Sequence, residues 1–300
     1  MSPAENGEPV RRPPEIEEIT NLLVIHPLAS FLTPPLAEMH VPPNAVSIAG
    51  MSFGVLAAVS YYHYQDVRYA ITGFVLMIAW HVLDGADGQL ARLTRTQSQT
   101  GKILDGVCDY VTFIAVYVAL AAALSRILGA WVWALVLASG LCHAVQSAAY
   151  EVQREEYIFF VWGRHSAKRP GADLPPQRGS HSSAISRSLA VLYRLYVHIQ
   201  SQIAGASVDF HKRLATMLER EPRRAALIRQ RYRETFAPVV RRWSVLSSNY
   251  RTLGIFIGAL IGAPQYYFEF EILGFGIVLA LLMLGQRGRY AQFFRSLEAS

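Results

Sequence analysis

The chain has 300 residues, is 52% hydrophobic with a positive mean hydropathy, and carries a formal charge of +6. That much apolar content fits one large soluble domain or a polytopic membrane protein, and its concentration in runs of roughly 15 to 20 residues, near bilayer-spanning length, argues against the soluble domain. Two cysteines, Cys108 and Cys142, supply neither a disulfide framework nor a zinc site and read as small apolar residues of the spans.

Residues 1–15 are acidic and proline-bearing, with no basic stretch followed by an apolar core, so they read as a disordered cytosolic tail rather than a signal peptide. Ile16 to Met39 places apolar residues at mixed spacing around Pro27, Pro34 and Pro35, which are expected to break any long helix. This predicts an interfacial segment lying on the membrane, within a juxtamembrane stretch 16–43. Val41-Pro42-Pro43-Asn44 then leads into the first span, with Asn44 available as its cap.

Six spans are expected, at about Asn44–Tyr61, Tyr69–Leu83, Tyr110–Leu128, Ala130–Ala149, Leu253–Phe268 and Phe270–Gly285. Three are short, yet none shows the polar helical face that a soluble core helix would carry. Spans one to four occupy 44–162, and a cytosolic insert fills 163–249. It opens with a flexible Pro, Gly and Ser-rich loop, Lys168 to Ser183, and then turns helical. Ile185, Leu189, Leu192, Tyr196, Ile199 and Ile203 keep a three-and-four spacing, and a second amphipathic stretch runs from Val208 to Leu218. The arginine-dense run Glu221 to Arg242 reads either as a solvated helix near anionic lipid or as a contact for a phosphorylated substrate. Residues 250–300 hold the last two spans and a C-terminal tail.

With both termini in the cytosol, only Arg68 and Arg126 of the 28 basic residues fall outside, as the positive-inside rule requires. The expected class is an all-α polytopic protein of the cell membrane, or of the inner membrane in a Gram-negative cell. Basic residues flanking spans point to lipid headgroups, not nucleic acid.

Asp84, Asp87, Asp105 and Asp109 lie where the second apolar run ends and the third begins, at the cytoplasmic side. Carboxylates at that depth are costly unless something compensates their charge. Asp84 and Asp87 are three apart and Asp105 and Asp109 four apart, so each pair shares a helix face, and two faces opposed across a hairpin make one acidic pocket. Oxygen ligands of this kind favour hard ions such as magnesium or manganese. Gly85, Ala86, Gly88, Ala91 and Gly101 are small, which lets backbone approach a bulky ligand or a neighbouring helix. Arg92 and Lys102 border the pocket, either to neutralise phosphate oxygens or as positive-inside anchors. His81, one turn before Asp84, reads as a packed, hydrogen-bonded histidine or as a group supporting the site.

The run Asp84-Gly85-Ala86-Asp87-Gly88-Gln89-Leu90-Ala91-Arg92, followed at fixed spacing by Gly101, Asp105 and Asp109, resembles the full signature of the CDP-alcohol phosphotransferases. Pro43-Asn44-Ala45-Val46-Ser47 resembles that family's usual lead-in to the first span, with serine in place of a frequent threonine. The resemblance implies an enzyme of phospholipid synthesis that moves a substituted phosphate from a CDP-alcohol to an acceptor hydroxyl and releases CMP. It implies two divalent metal ions, Mg or Mn, on Asp84, Asp87, Asp105 and Asp109, with Asp109 as general base, and a homodimer. It also places Asp84, Gly88, Ala91 and Gly101 beside the CDP moiety, where Asn44 and Arg92 join them. CDP-diacylglycerol is the expected donor and an alcohol or polyol phosphate the acceptor; transfer of a small CDP-linked headgroup to a lipid hydroxyl is the alternative. A cation transporter with intramembrane carboxylates is the rival from another class, although no second half of the chain echoes the aspartates.

Acceptor residues are sought elsewhere. His143, Gln146, Tyr150, Arg154 and Tyr157 form one stripe on span four, suited to line a cavity or to make hydrogen bonds between helices. Asn249 and Arg251, before span five, are candidates for an acceptor or phosphate pocket.

Overall fold

The computed structural model describes residues 13–163 and 208–298, and among them every regular element is helical. A π-helical turn, Asn21–Ile25, leads into α1 (His26–Glu38), followed by α2 (Pro43–Tyr62), α3 (Val67–Leu93), α4 (Gln99–Leu128) and α5 (Trp131–Trp162). Within the insert lie α6 (Val208–Arg220) and α7 (Ala225–Trp243), followed by α8 (Ser248–Leu260) and α9 (Gln265–Glu298). Five of them, α2, α3, α4, α5 and α9, are long and apolar enough to cross a membrane, so the chain is an all-α polytopic membrane protein. The loop expected at Lys168 to Ser183, the periodic stretch 185–203 and most of the tail 1–15 lie outside the described residues.

Three local expectations are corrected. The fifth apolar run, 253–268, is divided: α8 stops at Leu260 and α9 starts at Gln265, because Gly262 takes a φ of +73° and Pro264 follows without an amide hydrogen. At 13 residues, α8 is about 20 Å long, shorter than a hydrocarbon core of about 30 Å. The prolines do not break α1. Pro27 falls in its first turn, where the missing N–H has no intrahelical acceptor anyway, and Pro34 and Pro35 fall near its end. Burial of Ala29 against Val46, Ala86 and Leu90 offsets what they cost. Asn44 does not cap α2 either: the helix starts at Pro43, which leaves Asn44 inside the first turn with its side chain directed elsewhere.

The chain forms two compact units. The first contains the residues up to Leu141 together with Ser247–Gly274. Its α2 packs along both α3 and α4. A Cβ at Gly50 would lie 3.3 Å from Leu83 Cβ of α3, and one at Gly54 would collide with the Thr112 side chain of α4. Close approach through small residues is how helices associate in lipid, where burial of apolar surface gives little drive. Large apolar side chains such as Leu56, Val59, Val75 and Ile114 point outward. At the end expected outside, Asp66 caps α3 by accepting from Arg68 N at 3.0 Å, while Arg126 Nη1 donates to Tyr62 Oη at 2.8 Å.

The second unit contains Cys142–Leu246 and the residues from Phe275 onward. Here α6 and α7 meet the C-terminal parts of α5 and α9 in an aromatic cluster. Phe210 stacks on Tyr290 with ring centroids 4.2 Å apart, His211 stacks on Phe160 at 5.3 Å, and Tyr232, Phe236 and Phe293 fill between them. One face of α7, Ile228, Tyr232, Phe236, Val239, Val240 and Trp243, is buried. Arg231, Arg241 and Arg242 occupy its exposed side.

Candidate active site

Apolar periodicity carries α3 through the end of its expected span without interruption, so Asp84 and Asp87 stand on the helix itself, in its last three turns. Across from them α4 begins at Gln99, where Ser98 caps it by accepting from Gly101 N at 2.9 Å. That start fixes the phase of the helix and puts Asp105 and Asp109 on one face. Asp84, Asp105 and Asp109 converge: one carboxylate oxygen of each lies within 4.8 Å of the others.

The fourth aspartate is held differently. Asp87 is 5% exposed and accepts a hydrogen bond from the Ser47 hydroxyl of α2. It still belongs to the same electrostatic neighbourhood, since Asp105 and Arg92 are the charges acting on it. Ser47 itself was not singled out by chemistry in the sequence. The available signal was its place one turn past Pro43, on a helix that must lie beside α3.

Arg92 folds back along α3. A Cβ at Gly88 would lie 3.4 Å from Arg92 Nη1, so the absence of a side chain at Gly88 leaves room for the guanidinium beside Asp87. Gly101 has a similar role on α4: a Cβ there would lie 3.4 Å from Asn44 Oδ1. Asn44 and Gly101 are thus neighbours, as are Gly88 and Arg92, while Ala91 lies one residue before Arg92 at intermediate exposure and Lys102 is exposed. The interfacial helix covers this part of α3. A Cβ at Gly85 would lie 3.4 Å from Ile25 and Ala29, and Ser30 donates to Gln89 Oε1 at 2.9 Å. Nothing in the sequence assigned α1 to that position.

The donor set suits a hard divalent cation. All three converging groups are carboxylates, and Asp109 Oδ1 is buried with no hydrogen-bond partner among the described residues. A buried oxygen left without a donor is expensive, and a cation held by Asp84, Asp105 and Asp109 would satisfy it while relieving their mutual repulsion.

The expected acceptor residues fall in both units. In the second, Gln146 is 2% exposed, Tyr150 is buried, and Arg154 pairs with Glu151 while lying 5.9 Å from the Tyr150 ring centroid. Tyr157, from the same stripe, is buried in the aromatic cluster with its ring centroid 6.1 Å from that of Tyr232. In the first, Asn249 donates to Thr20 and Asn21, and Arg251 is fully buried in an ion pair with Glu271, Nε to Oε1 3.0 Å. His81 is buried and lies 2.9 Å from Thr252 Oγ1 through Nε2.

Residues 40–167 match the family described as CDP-alcohol phosphatidyltransferase. The match spans α2 to α5 and includes all four aspartates, so the resemblance carried by the motif is borne out over that segment. Phosphotransfer from a CDP-alcohol to an acceptor is the chemistry that this match supports. No curated protein matches the chain.

Proposed function

We propose that the chain transfers a phosphatidyl group from CDP-diacylglycerol to the hydroxyl of a polar alcohol or polyol phosphate, releasing CMP. The observation that carries this reading is the convergence of Asp84, Asp105 and Asp109 from two helices of a segment matched by the phosphatidyltransferase family, with one buried Asp109 oxygen lacking a hydrogen-bond partner among the described residues. Asp84, Asp87, Asp105 and Asp109 would together hold two Mg²⁺ or Mn²⁺ ions, which neutralise charge on the pyrophosphate oxygens as it moves toward the leaving CMP.

Asp109 takes the proton from the acceptor hydroxyl as that oxygen forms its bond to the β-phosphorus of the donor. The bond between that phosphorus and the oxygen shared with the CMP phosphate breaks, and CMP leaves with the electron pair. Arg92 presents its guanidinium to a phosphate oxygen, and Asn44, Gly88, Ala91 and Gly101 border the nucleotide, where the three small-residue positions admit it close to backbone. Gln146, Tyr150 and Arg154 contribute to acceptor selection. The enzyme belongs to phospholipid synthesis, acts as a homodimer in the cell membrane, and opens its site toward the cytoplasm.

Purified protein with Mg²⁺ or Mn²⁺, supplied with CDP-diacylglycerol or CDP-linked headgroups and a panel of acceptors, should release CMP only when donor and acceptor are both present. Asp109→Asn should lower that release by about 10²- to 10⁴-fold, the range of general acid–base contributions, while the thermal midpoint stays near that of the parent. Release that survives the substitution removes Asp109 as base. No release with any donor and acceptor overturns the reading as a whole.

A further inference from the structure

Six hydrogen-bonding side chains are buried along α3, α4, α8 and α9 in the first unit, and their bonds converge on one turn of α8. Thr252 is 1% exposed, and its Oγ1 lies 2.9 Å from His81 Nε2. His81 precedes Asp84 by three residues and therefore shares its face of α3. The adjacent residue, Arg251, donates from Nε to Glu271 Oε1 at 3.0 Å and from Nη1 to Ser247 O at 3.1 Å. The other Glu271 oxygen accepts from Tyr267 Oη at 2.9 Å, and Tyr267 Oη is 2.7 Å from Tyr117 Oη of α4. Tyr117 follows Asp109 by about two helical turns. Both aspartate-bearing helices are therefore tied to the same place.

We infer that Arg251 and Thr252 are positioning residues that hold α3 and α4 in the register the aspartate cluster needs; this rests on the phosphotransferase reading given above. Glycine faces such as Gly50 and Gly54 let α2 come close to α3 and α4, yet a smooth surface of that kind does little to resist rotation or sliding. Hydrogen bonds are directional and do resist it. The arrangement also requires close approach: a Cβ at Gly254 would lie 2.8 Å from the Tyr267 ring, so α8 presents a bare backbone where Tyr267 reaches across to Glu271. Both Glu271 oxygens are engaged, and the guanidinium of Arg251 is directed at that carboxylate. This gives Arg251 a role in aligning helices instead of the phosphate contact expected from its place in the sequence.

The test uses the full-length purified protein and Mn²⁺ alone, with affinity measured by the electron paramagnetic resonance of free Mn²⁺. Thr252→Val and Tyr117→Phe each remove one hydroxyl, keep the side-chain shape and leave no charge unpaired. Each should weaken Mn²⁺ binding by about tenfold or more, as loss of a group supporting metal ligands does, and lower kcat for CMP release while KM for the donor changes less than about twofold. Thr252→Ser should restore both values. Unchanged Mn²⁺ affinity in both variants overturns the inference, whatever happens to the thermal midpoint; so does failure of Thr252→Ser to restore affinity lost in Thr252→Val. Because Mn²⁺ binding needs no turnover, weakened binding in a protein that transfers nothing removes the phosphotransferase reading alone. Robust transfer with unmoved binding and kcat removes the positioning role alone.

Discussion

Both units bury aromatic rings, but the first, whose core includes Trp80, Phe113, Tyr117 and Phe268, adds close helix approach at glycines. Between α2, α3 and α4 the first unit packs Gly50, Gly54, Ala57, Ala58 and Ser47, and it threads hydroxyls and an ion pair through its interior, while Ile114, 60% exposed, faces outward. The second unit gathers Phe210, Tyr232, Phe236, Tyr290 and Phe293 inside and turns the arginines of α7 out. In lipid, large apolar groups gain little by facing inward, so cohesion comes from close backbone approach and directional polar bonds. Around α6 and α7, which are not among the helices apolar enough to cross a membrane, burial of aromatic area dominates. The four aspartates stand in the first unit, on helices that approach α2 at Gly50 and Gly54 and are tied by hydrogen bonds to α8 and α9.

Breaking the ion pair tests that contrast most severely. Glu271→Leu would leave Arg251 charged and unpaired at 0% exposure, and removing one member of a buried pair typically costs about 3–5 kcal/mol. The combined Arg251→Met and Glu271→Leu protein should recover most of that, because a buried pair replaced by apolar groups is often nearly neutral. Thermal unfolding in nanodiscs checks both. Equal destabilisation of the single and double variants would mean that the pair contributes through attraction rather than through mutual compensation.

Phe210→Ala probes the other core. Its ring meets Tyr290 at 4.2 Å, Phe294 at 5.0 Å and Phe236 at 5.6 Å. Aromatic truncations in a packed core cost about 3 kcal/mol or somewhat more. Hydrogen exchange should rise across α6 and α7, with Mn²⁺ affinity unchanged. A parallel loss of Mn²⁺ affinity would erase the distinction between the two cores.

The sequence made the aspartates conspicuous because four carboxylates at the border of two apolar runs have no structural use that the few basic residues nearby could serve. The convergence of Asp84, Asp105 and Asp109 follows from helical spacing, and the order of the long helices from the apolar runs. The end of α8 was not legible, since apolar residues continue past Leu260 and only the Gly262-Ala263-Pro264 turn interrupts them. Nor were Ser47 and Thr252: a single hydroxyl in an apolar run is common, and its value depends on which helix lies opposite. Tyr157 was placed in a polar stripe by its spacing, yet tertiary packing buries it among rings. The path of α1 over Gly85 was hidden for the same reason, as prolines argued for a break and contact with Ala86 and Leu90 overrode them.

The smallest change that should register at the aspartates is Gly54→Ala. Its Cβ would collide with Thr112, which is 0% exposed and lies three residues beyond Asp109 on α4, so neither helix can accept the methyl group without moving. Overpacking of this kind costs about 1–3 kcal/mol, and a displacement of α4 one turn from Asp109 should weaken Mn²⁺ binding as well as lower the thermal midpoint. Thr112 Oγ1 has no hydrogen-bond partner among the described residues, so Thr112→Ala removes no bond and takes away the two closest contacts, with Oγ1 and Cγ2, leaving the Thr112 Cβ contact at 2.9 Å. The double variant Gly54→Ala with Thr112→Ala should therefore regain part of the lost stability and Mn²⁺ affinity, giving a coupling between the two sites of the order expected for residues in contact, about 0.5–3 kcal/mol. Additive losses would show that α2 and α4 are not in steric register at Gly54, and that alignment of the aspartates depends on the polar bonds alone.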